Sequence, residues 1–129
     1  MTIKVELSYG EMLDKITILQ IKSERMTDAT KVANVTKELN LLNDIWKSDE
    51  KSSIDITEEF AELKRINEAL WEIEDDIRDK ERAKEFDEKF VELARAVYVT
   101  NDQRADIKKV INVKLGSDLV EEKSYADYT

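Results

Sequence analysis

The chain has 129 residues, 41% apolar and 40% charged, with a net charge of −9. That length suits one domain with its own core, and the apolar share is too high for a disordered chain. The acidic excess argues against nucleic acid as a partner, and the absence of cysteine and histidine excludes disulfides, thiol nucleophiles, histidine bases and Cys/His zinc sites.

Any metal is then expected to be a hard cation, magnesium or calcium, held by carboxylates. The sequence has no proline and two glycines, which favours long helices. No run is long and apolar enough to span a membrane, and the N-terminus lacks a secretory hydrophobic region. A soluble, cytoplasmic protein with no membrane partner is expected.

Thr2 to Leu7 alternates Ile3, Val5 and Leu7 with Lys4 and Glu6, the pattern of a short strand with one buried face. Ser8-Tyr9-Gly10-Glu11 has the form of a capping box, in which Ser8 accepts from the amide of Glu11 and Glu11 reaches back. The first helix follows to about Arg25. Leu13, Ile16 and Leu19 mark one face, and Ile18 and Ile21 broaden it, which suits a central position. Met26 to Thr30 reads as a turn. A second helix runs from about Lys31 to Lys47, with Val32, Val35, Leu39, Leu42 and Trp46 in a two-heptad seam. Ser48 to Ser53 is polar and without periodicity, a loop.

A third helix begins near Thr57 and runs toward Arg82. Its stripe of Phe60, Leu63, Leu70 and Ile77 is interrupted by Asn67 and Glu74. Lys80 to Glu85 reads as a break. A fourth helix spans Phe86 to Leu115, with Gly116 placed to end it. Leu119 to Tyr125 is either a tail or a second strand, and pairing with Ile3 to Leu7 is favoured because a lone strand cannot satisfy its backbone. The expected fold is mainly α: an antiparallel bundle of about four helices with a minor β element from the two termini. The heptad seam and the broad apolar girth of the first helix point to a homodimer.

The fourth helix carries the chemistry. Its inward face begins with Phe90, Leu93, Ala94 and Val97, then continues as Asn101, Arg104, Lys108 and Asn112. Cations and amides on an inward face need partners. Residues 57–92 hold 14 acidic and 7 basic side chains, whereas residues 95–114 hold 5 basic and 2 acidic. An antiparallel third helix would bring Glu74, Asp75 and Arg78 to these cations. The stripe is then either an anion-binding cleft, with Arg104 as a planar fork and Lys108 as a point charge, or an interhelical salt network. Arg95 lies on the flank. Glu74 and Asp75 are also the best candidates for a magnesium site. Glu59 to Glu62 and Glu72 to Asp75 imitate the two acidic motifs of all-α nucleotide pyrophosphohydrolases, but nine residues between them leave no room for the turn that family needs. Trp46 and Trp71 suit core packing or, for a base or sugar, a stacking platform. The segment Glu121 to Tyr125 is either a lid over the cleft or a frayed tail.

Gly10 to Leu19, Leu70 to Asp75, Leu93 to Arg95, Asn101 to Lys108 and Glu122 to Tyr125 together resemble an uncharacterised family of small helical proteins of bacteria and phages. The family is a domain of unknown function, associated with glycosyltransferase and tetratricopeptide proteins of surface-polysaccharide synthesis. The resemblance implies a shared fold and no established activity. It implies a polar signature on Glu11, Asp14, Lys15, Glu74, Asp75, Arg78, Arg95, Asn101, Arg104, Lys108, Glu122, Lys123 and Tyr125. Three functions stay open: a module binding an anionic small molecule such as a sugar phosphate or nucleotide sugar, a magnesium-dependent phosphoryl or pyrophosphate enzyme, and an oligomeric adaptor. The expected ligand-binding residues are Asn101, Arg104, Lys108, Asn112, Glu74, Asp75, Arg78, Arg95, Glu11, Lys15, Lys123 and Tyr125.

Overall fold

Ser8 opens the first helix as the spacing predicts, its Oγ accepting from the Glu11 amide at 3.1 Å. Only half of the capping box forms, because the Glu11 side chain turns away to Lys108. The computed structural model describes residues 1–129. Its helices are α1 (Tyr9–Arg25), α2 (Ala29–Ser48), α3 (Thr57–Ala83) and α4 (Glu88–Leu115), with a 3₁₀ turn at Glu50–Ser53. Asp28 and Asp87 cap α2 and α4 by accepting from Lys31 and Phe90 amides.

α3 and α4 both end on a left-handed residue, one of them glycine and the other not. Gly116 takes a left-handed φ of 65° after α4, the conformation its missing Cβ allows. Lys84 takes a φ of 57° after α3, which an L side chain tolerates poorly. The Glu85 amide donates to the Lys80 carbonyl and the Lys84 amide to Glu81, so a Schellman-type turn forces that strain.

α1 is the central helix, packed against α2, α3 and α4. Leu13, Ile16, Ile56, Leu63, Ile111 and Leu115 form the dry core. The α2 seam closes one side: Leu39, Leu42 and Trp46 pack on that core, yet no α2 residue is fully buried. Trp46 meets Tyr9 edge-on at 6.0 Å, and the Tyr9 hydroxyl donates to Asp49 at 2.8 Å. α3 and α4 run antiparallel, their far ends tied by Lys114 and Glu59 at 3.0 Å.

The expected β element is absent. Residues 1–8 carry no strand, and their backbone makes no partnered ladder. The C-terminal segment does not reach them, because ion pairs draw it along α4 instead: Lys109 with Glu122 at 3.6 Å and Lys123 with Asp102 at 4.0 Å. No helix is long and apolar enough to cross a membrane.

Candidate functional site

The polar stripe of α4 does point inward, and its ion pairs go to α1, not to the acids of α3. Asn112, Lys108 and Arg104 step along α4 while Gly10, Glu11 and Asp14 step the opposite way along α1. Three successive contacts join them. The Gly10 amide donates to Asn112 Oδ1 at 2.6 Å, so an amide side chain of α4 satisfies one of the free donors in the first turn of α1. Lys108 Nζ donates to Glu11 Oε2 at 2.8 Å. Arg104 Nε donates to Asp14 Oδ1 at 2.9 Å, and Arg104 Nη2 to Asp14 Oδ2.

Gly10 makes this approach possible. A Cβ there would lie 2.6 Å from the Lys108 carbonyl oxygen and 3.0 Å from Asn112 Oδ1. The two backbones touch where any larger residue would hold them apart.

Asp14 is the hub. Its side chain is 1% exposed. Besides Arg104 it accepts from Asn67 Nδ2 at 2.9 Å. The second Asn67 hydrogen goes to Thr17 Oγ1 at 2.8 Å, and that hydroxyl donates to the Asp14 carbonyl at 2.7 Å. Asn67, which breaks the apolar stripe of α3, is therefore the one α3 residue in the network. No buried side-chain nitrogen or oxygen in the protein lacks a partner. The hydrogen bonds to Asp14 raise the Arg104 pKa above its ordinary value against the opposing effect of burial.

Lys108, midway along the seam, has a second partner. Its Nζ also donates to Glu121 Oε2 at 2.7 Å, from the C-terminal segment. Burial disfavours its charge, but Glu11 and Glu121 outweigh that and hold the ammonium pKa above its usual value. Lys108 in turn holds the Glu121 carboxyl below the usual glutamate range. The segment lies on α4 through side chains: Lys123 reaches the Asn101 carbonyl at 3.4 Å, and Tyr128 meets Tyr98 edge-on at 5.1 Å. No backbone hydrogen bond ties residues beyond Ser117 to the body. The segment is thus a strap held on α4 by its side chains, and it does not cover the groove beside Arg104.

The expected site residues divide between two places. Glu11, Lys108, Asn112, Lys123 and Tyr125 belong to the α1–α4 seam and its C-terminal strap. Asn101, Arg104, Glu74, Asp75 and Arg78 line a groove of about 500 Å³ between α1, α3 and α4. Arg95 and Lys15 are exposed on other faces and join neither. Glu74 and Asp75 share the groove with Arg104 but form no ion pair with the α4 cations: Arg78, one turn along α3, pairs with Glu74 itself. No three acidic side chains converge in a metal-holding arrangement.

The groove has a floor of Ile18, Ile21 and Leu70, with Trp71, Asn67 and Lys22 completing its lining. Lys22 forms no ion pair within the chain. Sequence reasoning left Thr17, Asn67, Lys22 and Glu121 out of the site. Asp14 entered only through the family pattern. Asp14 and Thr17 sit three apart among Leu13 and Ile16, and that polar pair inside an apolar face was the available signal.

These features define an all-α protein of four helices with a buried polar seam at its centre. The chain belongs to DUF6165, a family of unknown function whose model matches residues 3–128. No curated protein and no solved structure matches it.

Proposed function

We propose that the protein is a binding or accessory module that holds a small anionic molecule in the groove between α1, α3 and α4. The supporting observation is the position of Arg104. Asp14 fixes the guanidinium through two of its nitrogens, and the same side chain lines the groove. An arginine braced in this way is pre-ordered for a phosphate or carboxylate. Lys22 adds a cation with no partner in the chain. Trp71 and the aliphatic floor suit the body of a sugar or a base. The groove volume falls in the ordinary range for small-molecule sites. A sugar phosphate or nucleotide sugar combines these features, and the resemblance to proteins near surface-polysaccharide genes favours the same class.

Trp71 supplies the test. In a Trp46→Phe background it is the sole indole and reports directly on the groove. Titration with hexose phosphates and nucleoside diphosphate sugars is expected to change its fluorescence saturably. Lys22→Gln and Arg78→Gln are expected to weaken binding about tenfold or more each, in line with about 1.4 kcal/mol per charge-assisted contact. No saturable binding of either class retires the reading. The adaptor reading then gains ground, because the fully partnered network around Asp14 needs no ligand to explain it.

A further inference from the structure

Residues 1–7 have the pattern of a strand and no partner within the chain. Ile3 and Val5 are 86% and 66% exposed, and Leu7 shares their face of the alternation. No backbone hydrogen bond engages the segment. Lys4 and Glu6 form no ion pair within the chain.

The run Ile3-Lys4-Val5-Glu6-Leu7 is complementary to its own reverse. Laid antiparallel on a second copy about Val5, Val5 faces Val5, Ile3 faces Leu7, and Lys4 faces Glu6 on both sides of the axis. All apolar side chains then share one face of the ribbon and all charges the other. The competing registers are worse. A slip of one residue sets apolar against charged positions. A slip of two sets Lys4 on Lys4 or Glu6 on Glu6, and parallel pairing aligns like charges throughout.

We propose that a second copy of this chain occupies the segment: two N-termini pair as an antiparallel ribbon on a twofold axis. Such a contact is isologous and closes on itself. It satisfies the free backbone edges that a lone segment leaves to water. A two-stranded ribbon is marginal alone, so the dimer is expected to be weak and concentration-dependent.

Sedimentation of the full chain tests this. Wild type is expected to dimerise reversibly. Lys4→Glu and Glu6→Lys each place like charges opposite one another twice, and each should weaken the dimer at least tenfold. The double reversal restores the pairing and the affinity. The chain has no cysteine, so Val5→Cys provides a unique thiol. Val5 alone faces itself, at a spacing a disulfide can bridge. Val5→Cys should therefore crosslink to itself on mild oxidation. Ile3→Cys should not, but should link to Leu7→Cys in a mixture. The substituted side chains stand in water, and unchanged circular dichroism will verify the fold. A monomer at all concentrations overturns the proposal. So does a dimer that ignores the single reversals, or one whose Val5→Cys chains stay unlinked.

Discussion

Arg104 on α4 grips the carboxylate of Asp14 on α1 across 90 positions of sequence, with Nε at 2.9 Å from Oδ1 and Nη2 on Oδ2. The pair is asymmetric: Asp14 is sealed, while over a quarter of the Arg104 side chain faces water (28%). Removing the arginine strands a buried anion, whereas removing both partners leaves a gap that apolar groups can fill. Arg104→Met is therefore expected to cost about 3 kcal/mol, the lower end for a broken buried pair, given the open side of Arg104. Asp14→Leu with Arg104→Met should recover a substantial part of that loss. Urea denaturation of the three variants checks this, and a double variant less stable than the single one contradicts it.

Gly10→Ala tests the close approach of α1 and α4. Alanine favours a helix interior by up to about 1 kcal/mol over glycine. Here its methyl group would meet the rigid Lys108 carbonyl at 2.6 Å. The helices must separate, and the Gly10–Asn112 bond weakens with them. A net loss of about 1–3 kcal/mol is expected, as for other overpacked sites. Thermal unfolding should show a lower midpoint, where propensity alone predicts a higher one.

Lys84→Gly should move stability the other way. The left-handed conformation costs an L residue about 1–2 kcal/mol, and glycine adopts it freely. Greater freedom of glycine in the unfolded chain offsets part of this. A gain of about 0.5–1 kcal/mol is expected from denaturant midpoints, with little change in slope.

The C-terminal strap should respond to pH and salt. Glu121 has a folded pKa below its ordinary 4.5, chiefly through the hydrogen bond from Lys108. A lowered carboxyl pKa stabilises the docked state above the ordinary value and ceases to do so as pH falls through the folded one. Docking should thus persist at neutral pH and fail in acid below about 4.5, the value of the undocked glutamate. Because Lys109–Glu122 and Lys123–Asp102 are surface pairs, added salt should also loosen the strap. Lys108 acylation reads this out by mass spectrometry. It should be slow in the intact chain and rise at least tenfold on truncation after Ser117, while the already exposed Lys109 changes little.

Tyr9 should titrate late. Burial and the hydrogen bond to Asp49 raise its hydroxyl pKa to about 12. Its contribution is complete below the ordinary value of 10.0 and is lost as pH climbs through about 12. Absorbance titration of wild type against Tyr9→Phe should isolate that late step. The substitution is expected to cost about 1 kcal/mol at neutral pH, a typical value for one hydrogen bond.

Much of this architecture is legible in the residues. Ser8 before Gly10 and Glu11 announces α1, Gly116 announces the end of α4, and the spacing from Asn101 to Asn112 correctly sets an inward polar face. Periodicity fixes which way a side chain points around its own helix, but not which neighbour stands there. The acid-rich α3 was the plausible partner by charge count, yet long-range packing gave that place to Glu11 and Asp14 of α1. The β element failed for a related reason. Alternation in Ile3 to Leu7 describes a strand's faces without supplying a second strand, and lysines on α4 held the other candidate segment away. The groove beside Arg104 was legible only in part: Asn101, Arg104, Glu74, Asp75 and Arg78 were expected together and line it, whereas Lys22 and Asn67 come from turns of two helices that no spacing joins.

Asp14 answers to α3 through Asn67 and to α4 through Arg104 at once. Leucines in a dry core tolerate sliding, because one greasy contact replaces another. A carboxylate with two fixed correspondents does not. Shifting α1 by a single turn would strand two charges and an amide together, so the three helices have one seating, and this triangle acts as the keyway that selects it.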